Sequence, residues 1–275
     1  MSQSGREERK LEYKMSKTSK LKIGFAGARF LGVECLKFIN KRRDVKIAHV
    51  CFPSRTRKVW WKDVVDEDEV ERLGLKITPW EKWDNLKFDL VFSVLHDRIF
   101  KKHHIENVKY GIVNLHMAKV PEYRGCNVFS HSIMNGEIRH GLTLHYVDEG
   151  IDSGSVVSET SLSIRKEDTA QTLYDRAQKK AAIFFKKIAP KIIDYAKKGR
   201  FHPAKSQDET RADYYDRDSL SNKEVSLDWN KEKLYNFVRA VDFPPFEPAY
   251  ILVGERKVYL TVSKLKKISI NGAYR

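Results

Sequence analysis

The sequence has few cysteines and no long apolar runs. Its three cysteines, Cys35, Cys51 and Cys126, have neither the spacing of metal ligands nor a pairing pattern, which fits a reducing cytoplasm rather than a disulfide framework. No run approaches the roughly 20 apolar residues that a membrane span requires, and the N-terminus lacks the apolar core of a signal peptide. We therefore expect a cytoplasmic protein with no membrane partner.

The glycine spacing of a dinucleotide site is also missing. Gly24-Phe25-Ala26-Gly27 follows the first apolar segment but lacks the Gly-x-Gly-x-x-Gly spacing of such sites. We expect these glycines to permit a tight turn close to a substrate instead. Residues 1–19 are charged and poor in apolar side chains, which predicts a flexible tail or weak helix. Met15 is a second position at which translation could begin.

Strands and helices alternate between residues 20 and 200. Buried strands are predicted for LKIGFAG, DVKIAHVCF, FDLVFSVL and YGIVNLH, and helices for RFLGVECLKFINKR and GCNVFSHSIMNG, before a hairpin-like pair, GLTLHYV and SGSVVSETSLSI. Such alternation implies an α/β fold with a Rossmann-like, mostly parallel sheet flanked by helices.

The character of the chain changes after Gly199. Residues 201–229 are polar and are interpreted as a linking segment, NKEKLYNFVRAV as a helix, and AYILVGERKVYLTVSKLKKISI as two strands around Gly254-Glu255. We predict a domain boundary near residue 200 and a small C-terminal β-rich unit over 201–275. Because small β units with unpaired edges often associate, a homodimer is an expectation.

The charge balance is basic, with 52 Lys and Arg against 37 Asp and Glu, a net charge of +15. A polyanionic partner such as tRNA would suit this excess. The favoured interpretation is that solvated helices supply it. In RAQKKAAIFFKKIAPKIIDYAKKGR, the positions Ala177, Ala181, Phe184, Phe185, Ile188, Ile192 and Tyr195 recur at helical spacing, so the lysines occupy the opposite face.

Three polar residues bring complementary chemistry to strand ends and turns. Asn114 and His116 end a predicted buried strand, and Asp152 lies in the turn Asp148-Glu149-Gly150-Ile151-Asp152-Ser153-Gly154. An amide can donate to an oxyanion, an imidazole can move protons near neutral pH, and a carboxylate can orient that imidazole. Each residue alone more often caps a helix or builds a turn. Together they predict acyl transfer to an amine.

The blocks VNLHMAKVPEYRGCNVFSHSIMNGE and GLTLHYVDEGIDSGSVV resemble the folate-dependent formyltransferases over roughly residues 21–200. The resemblance assigns Asn114, His116 and Asp152 as catalytic and implies formyl transfer from 10-formyltetrahydrofolate to a primary amine, with no metal. It also implies folate contacts at Asp97, Arg98, Ile99 and Cys126 and along Asp148, Glu149, Gly150, Ile151 and Asp152. From the residues alone, Asp97-Arg98 could equally be a solvated helix start.

Two positions depart from the commoner family pattern. Ala118-Lys119-Val120-Pro121 stands where many members have Ser-Leu-Leu-Pro, so a hydroxyl is missing. Ser153 stands where Thr is usual, which keeps the hydroxyl.

The sequence segments YRGCN, GLTLHYVDEGIDSG and FPPFEPAY most resemble those of sugar N-formyltransferases that act on dTDP-linked 4-amino-4,6-dideoxyhexoses. A nucleotide-sugar substrate, with dTDP-4-amino-4,6-dideoxyglucose as the first guess, is therefore expected. The C-terminal part is shorter than the barrel expected of a tRNA formyltransferase. Methionyl-tRNA formyltransferase or another nucleic-acid-directed member is the alternative.

The segment RAVDFPPFEPAY presents three aromatic side chains from a proline-stiffened loop. Phe243, Phe246 and Tyr250 would suit stacking on a nucleotide base, and Arg239 would suit contact with a diphosphate. Alternatively, the aromatic side chains simply join the two predicted domains.

Overall fold

A computed structural model describes residues 20–53, 66–226 and 228–264. The predicted tail over residues 1–19 and the end of the last predicted strand segment, residues 265–270, lie outside these ranges.

Ten strands are present in the described ranges. They are β1 (Leu21–Gly27), β2 (Val45–Cys51), β3 (Leu90–Val94), β4 (Ile112–His116), β5 (Arg124–Gly125), β6 (Arg139–Tyr146), β7 (Val156–Ser163), β8 (Tyr214–Tyr215), β9 (Ala249–Val253) and β10 (Arg256–Leu260). Six of them form the central sheet in the order β2-β1-β3-β4-β6-β7. The first four run parallel, and β6 and β7 form an antiparallel hairpin beside β4. The predicted α/β fold is confirmed.

The helices are α1 (Arg29–Asn40), α2 (Asp66–Arg72), α3 (Lys102–Glu106), α4 (Val128–Met134), α5 (Ala170–Lys197) and α6 (Lys231–Ala240). Short 3₁₀ turns occur at Trp80–Lys82, Glu209–Arg211 and Arg217–Leu220. Sequence analysis did not predict α2 and α3, because helices of 7 and 5 residues are too short to establish a helical repeat. Within the described part of the chain, no helix is long and apolar enough to cross a membrane.

Apolar side chains cover both faces of the sheet. In β3, Leu90, Phe92 and Val94 belong to a larger core that includes the buried faces of α1 and α5, whereas Val91 belongs to a smaller core with Trp83. This two-residue alternation follows from the strand geometry. Polar side chains can therefore reach a ligand at the strand ends, beyond these cores.

The long helix α5 has the predicted amphipathic character. Of the seven positions named from its spacing, Ala177, Ala181, Phe184, Phe185, Ile188 and Ile192 are buried, and Tyr195 is half-buried. The lysines lie largely on the outer face, with Lys179, Lys180 and Lys187 exposed. These lysines form a solvated helix face, and the preference for such faces over a nucleic-acid partner stays a prediction.

The segment after Gly199 is packed, which differs from the predicted linking segment. Lys205 pairs with Val156, and β8 pairs in parallel with β5. Its polar side chains bind the first 200 residues through hydrogen bonds, which hydropathy cannot reveal. Beyond it, α6 and the predicted hairpin β9–β10 enclose a third small core, built around Val238 and Ala249. The division into domains at residue 200 remains a prediction.

Gly24 and Gly27 lie within β1, which corrects the predicted tight turn. A Cβ atom on Gly24 would lie 2.8 Å from the Phe88 ring, and one on Gly27 would lie 2.8 Å from the Phe25 and Phe52 rings. These glycines make room for aromatic packing in the cores.

Candidate active site

The sheet brings Asn114, His116 and Asp152 to one place. Asn114 and His116 lie at the C-terminal end of β4. The alternate residues of this strand, Val113 and Leu115, belong to the larger core. Asp152 comes from the loop that joins β6 to β7 and adopts a left-handed backbone conformation with φ of 52°. The C-terminal end of a parallel strand next to a change in strand direction is a common ligand position in α/β folds.

His116 is held between two oxygen atoms. Its Nε2–H donates to the carbonyl of Tyr123 at 2.7 Å, and its Nδ1 lies 3.4 Å from Oδ2 of Asp152. A carbonyl and a carboxylate can only accept, so both ring nitrogens face acceptors. These two contacts fix the orientation of the ring.

His145 was not predicted as part of the site. Residue 145 is directly opposite Asn114 in the antiparallel pairing of β4 with β6. Its Nδ1–H donates to the Tyr146 carbonyl at 2.7 Å, and its Nε2 lies 3.2 Å from Asn114 Nδ2 and 3.4 Å from Oδ1 of Asp152. Asn114 Nδ2 also donates to Oδ1 of Asp152 at 3.4 Å. His145 therefore contacts both Asn114 and Asp152.

Asp152 is the centre of this arrangement. Its carboxylate faces His116 through Oδ2 and His145 Nε2 through Oδ1, each at 3.4 Å, and it accepts from the Gly125 N–H at 3.0 Å. Burial disfavours its charged form, but the two imidazoles and the Gly125 amide outweigh burial and hold the pKa of Asp152 well below its ordinary value. The site therefore contains a fixed negative charge.

Gly125 has to be glycine at this position. Its φ is 89°, and a Cβ atom there would lie 2.3 Å from the Tyr215 carbonyl oxygen. The close approach lets the neighbouring Cys126 N–H donate to that same carbonyl at 2.7 Å. The Arg-Gly turn is thus fitted between β8 and the Asp152 carboxylate.

These groups open into a cavity of about 690 Å³, within the size range of small-molecule sites. Seven of the residues predicted for the site line it: Asn114, His116, Asp152, Asp97, Cys126, Phe243 and Phe246. The wall also carries the cationic residues Arg29, Arg217 and Lys223. The cavity can therefore accommodate an anionic ligand. The Asn114 amide, which can donate a hydrogen bond to an oxyanion, lies in the same wall.

The family model described as formyl transferase matches residues 77–188. Methionyl-tRNA formyltransferase of Bacillus subtilis is 30% identical over 186 residues, 67% of this chain and 56% of that protein. GDP-perosamine N-formyltransferase of Brucella melitensis is 29% identical over 180 residues, 64% of this chain and 65% of that protein. These matches place residues 77–188 in the formyltransferase family.

A solved structure extends this similarity to the C-terminal part. The N-formyltransferase of Helicobacter canadensis, in complex with folinic acid and dTDP-3-aminofucose, superposes with a TM-score of 0.72 at 24% identity over 86% of each chain. This likeness concerns the fold. The chain spans little more than half the length of the B. subtilis methionyl-tRNA formyltransferase.

Several predicted folate contacts lie outside the cavity wall. Ile99 is 69% exposed, and neither it nor Arg98 lines the cavity. In the loop Asp148–Ile151, Asp148 accepts from the Gly150 amide and the Ser153 hydroxyl, and Glu149 lies 3.5 Å from Lys102. The loop holds its own shape and presents Asp152, and folate binding by its other residues stays a prediction.

Arg239 and Tyr250 do not reach the cavity. The Arg239 guanidinium is buried and donates to the carbonyls of Arg165 and Asp168, both at 3.2 Å. Its charge lies beside two interior carbonyls, and contact with a diphosphate stays a prediction. Tyr250 lies in the C-terminal hairpin, where the Lys257 ammonium is 3.9 Å from its ring centre. Stacking of Tyr250 on a base is therefore not supported.

In the aromatic loop, Phe243 packs between the C-terminal part and the rest of the fold, and Phe246 faces the cavity. Phe243 lies 5.6 Å from the Tyr174 ring and packs against the larger core, so it joins the C-terminal part to the rest of the fold. Phe246 is 45% exposed and lines the cavity. Of the two, Phe246 has the accessible ring.

One cluster elsewhere has side chains that can bind a metal ion: Asp84, His103 and His104. The Nδ1 of His104 accepts from the Lys101 N–H at 3.1 Å, so its proton is on Nε2, which faces Asp84 at 3.0 Å. His103 Nε2 also lies 3.1 Å from that carboxylate. A protonated Nε2 does not bind a metal ion, and the Nε2 atoms of both histidines lie close to the Asp84 carboxylate.

Proposed function

We propose that the protein is an N-formyltransferase that moves a formyl group from 10-formyltetrahydrofolate to the amine of a nucleotide-linked amino sugar. The observation that carries this proposal is the meeting of Asn114, His116 and Asp152 at a cavity with a cationic wall. The family match supports the formyl donor. The donor, when bound, supplies the formyl carbon as the electrophile.

The roles of the three residues follow from their contacts. The bound donor would offer its formyl carbon to the uncharged amine, and negative charge would develop on the carbonyl oxygen. Asn114 would donate to that oxygen, since its present contacts of 3.2 and 3.4 Å are long and can be exchanged for a stronger one. His116, when protonated, would stabilise the same charge and give its proton to the departing nitrogen; the neutral ring would then take the proton that the attacking nitrogen loses. Asp152 would keep His116 oriented and charged.

The nucleotide-sugar assignment rests on the remaining wall of the cavity. Arg29, Arg217 and Lys223 supply positive charge suited to a diphosphate, and Phe246 offers a partly exposed ring to a base. Burial lowers the pKa of Lys223, whose ammonium donates to the Glu247 carbonyl at 2.7 Å. Within this class, dTDP-4-amino-4,6-dideoxyglucose remains our first candidate.

Methionyl-tRNA is the second candidate acceptor. The similarity to the B. subtilis methionyl-tRNA formyltransferase and the net charge of +15 favour it. It predicts tight tRNA binding that weakens steeply with salt.

The test is formyl transfer from 10-formyltetrahydrofolate to a panel of acceptors. The panel contains dTDP- and GDP-linked sugars with the amine at C3 or C4, together with charged initiator tRNA. Turnover of a nucleotide sugar supports the proposal and identifies the base and the amine position. Turnover of tRNA alone, or of no acceptor, overturns it.

A further inference from the structure

We propose that Gln207 is a positioning residue that holds the Asp152 turn in place for the reaction. This inference rests on the proposed function. Gln207 lies in the polar segment that sequence analysis interpreted as a linker, and it does not line the cavity.

The Gln207 amide joins two parts of the site through four hydrogen bonds. Its Nε2 donates to the carbonyl oxygens of Asp152 and Gly154 at 2.8 and 2.7 Å. Its Oε1 accepts from Nε and Nη2 of Arg124 at 3.1 and 2.8 Å. Turning the amide over would set donors against donors and acceptors against acceptors. Its orientation is therefore unique.

The carbonyl contacts matter because the Asp152 backbone is in a region that side chains other than glycine rarely adopt. Its φ of 52° costs free energy and persists only where the surroundings hold it. The Gln207 Nε2 group bonds the carbonyl of this same residue and that of the residue two positions on. Loss of these bonds would let the turn relax toward an ordinary backbone conformation, and the carboxylate would move away from His116.

The Arg124 contact connects the same amide to the Arg-Gly turn. Arg124 is largely buried, and its guanidinium also pairs with Glu209, with Nη2 to Oε1 at 2.6 Å. The next residue, Gly125, donates its N–H to Asp152 Oδ2 at 3.0 Å. Asp152 is thus held at its carbonyl by Gln207 and at its carboxylate by Gly125. The hydrogen bonds between Arg124 and Gln207 connect these two contacts.

Two isosteric variants separate positioning from anchoring. Gln207→Glu keeps oxygen acceptors for Arg124 but places a carboxylate oxygen against the Asp152 and Gly154 carbonyls. Glu209→Gln weakens the anchor of Arg124 and leaves the Gln207 amide intact. Gln207→Ala removes both functions of the side chain, and Gln171→Ala, at the surface end of α5, is the matched control.

The experiment measures kcat and KM for the best nucleotide sugar with each variant. We expect kcat of Gln207→Glu and Gln207→Ala to fall about ten- to a hundredfold, with KM for the sugar within about twofold, because Gln207 does not touch the cavity. Glu209→Gln and Gln171→Ala should keep the wild-type kcat. Wild-type kcat in Gln207→Glu would overturn the inference, as would an equal loss in Glu209→Gln.

A second readout does not depend on turnover. The Gly125 amide proton reports its hydrogen bond to Asp152 in an NMR spectrum of the full chain. Its resonance should move upfield in Gln207→Glu and stay in place in Glu209→Gln. If the wild-type protein formylates no acceptor, the proposed function fails, and this signal still decides the inference, since an unchanged resonance in Gln207→Glu would overturn it.

Discussion

His116 and Asp152 face each other across 3.4 Å, Nδ1 to Oδ2, although β5, α4 and β6 lie between them along the chain. The imidazole cannot turn toward another partner without losing the Tyr123 carbonyl at its other nitrogen. The charge on Asp152 is secured by His116, His145 and the Gly125 amide against the opposing effect of burial. A negative charge and an oriented imidazole therefore lie side by side in the site.

Replacing His116 should abolish most of the activity. We expect His116→Gln to lower kcat for formyl transfer about a hundred- to ten-thousandfold, because the glutamine side chain cannot transfer the proton and is uncharged. Steady-state kinetics with circular dichroism checks both rate and fold. His202→Gln is the control and should retain wild-type kinetics, because the His202 ring contacts the Pro203 carbonyl and the Tyr195 ring and does not line the cavity. A His116→Gln rate within about tenfold of wild type would argue against the assigned role.

Phe246 should contribute to nucleotide binding. We expect Phe246→Ala to raise KM for the nucleotide sugar about tenfold, since stacking on a base is worth about 1–3 kcal/mol, with kcat little changed. Tyr250→Phe is the control, because Tyr250 lies in the hairpin away from the cavity. Equal KM values in Phe246→Ala and wild type would mean that the ring only packs.

Arg239 should matter for stability and not for substrate affinity. Arg239→Met removes the donor from two buried carbonyl acceptors, those of Arg165 and Asp168, and should lower the free energy of unfolding by about 2–4 kcal/mol. Urea titration measures this loss. KM for the nucleotide sugar should stay unchanged. A large rise in KM without loss of stability would restore the diphosphate contact that the sequence suggested.

His140 should make folding stability depend on pH. Burial lowers its pKa to about 4, while an unfolded histidine titrates near 6.5. Between these values the unfolded chain binds more protons than the folded one, so stability is complete above about pH 6.5 and falls as the pH approaches 4. The contribution is about 3 kcal/mol. In urea titrations at pH 7.5 and 5, the decrease should be smaller in His140→Gln than in wild type; an equal decrease would contradict this assignment.

The parts of the site that follow one another along the chain were predictable. The strand ending in Asn114 and His116 and the turn containing Asp152 each carry a local pattern of residues, and the alternation of elements implied that strand ends would meet ligands. His145 was missed because its role depends on the register of β4 against β6, which pairs residues 31 positions apart. No local pattern specifies such a register.

The misplaced residues have a similar cause. Arg239 ends a polar-looking helix, but its partners Arg165 and Asp168 lie 74 and 71 residues earlier. Gln207 belongs to a segment whose low hydropathy suggested a linker, yet its contacts are hydrogen bonds to backbone carbonyls. Hydropathy patterns predict which faces are buried. They do not predict which buried polar groups find partners across the fold.

The central claim is tested most directly by following a labelled formyl group in a single turnover. Wild-type protein and Asp152→Asn are each mixed in excess with labelled 10-formyltetrahydrofolate and a nucleotide-linked amino sugar. We predict that wild type places the label on the sugar amine and that Asp152→Asn does so at least about a hundredfold more slowly. Equal rates for the two proteins, or label that reaches only charged initiator tRNA, would contradict the account.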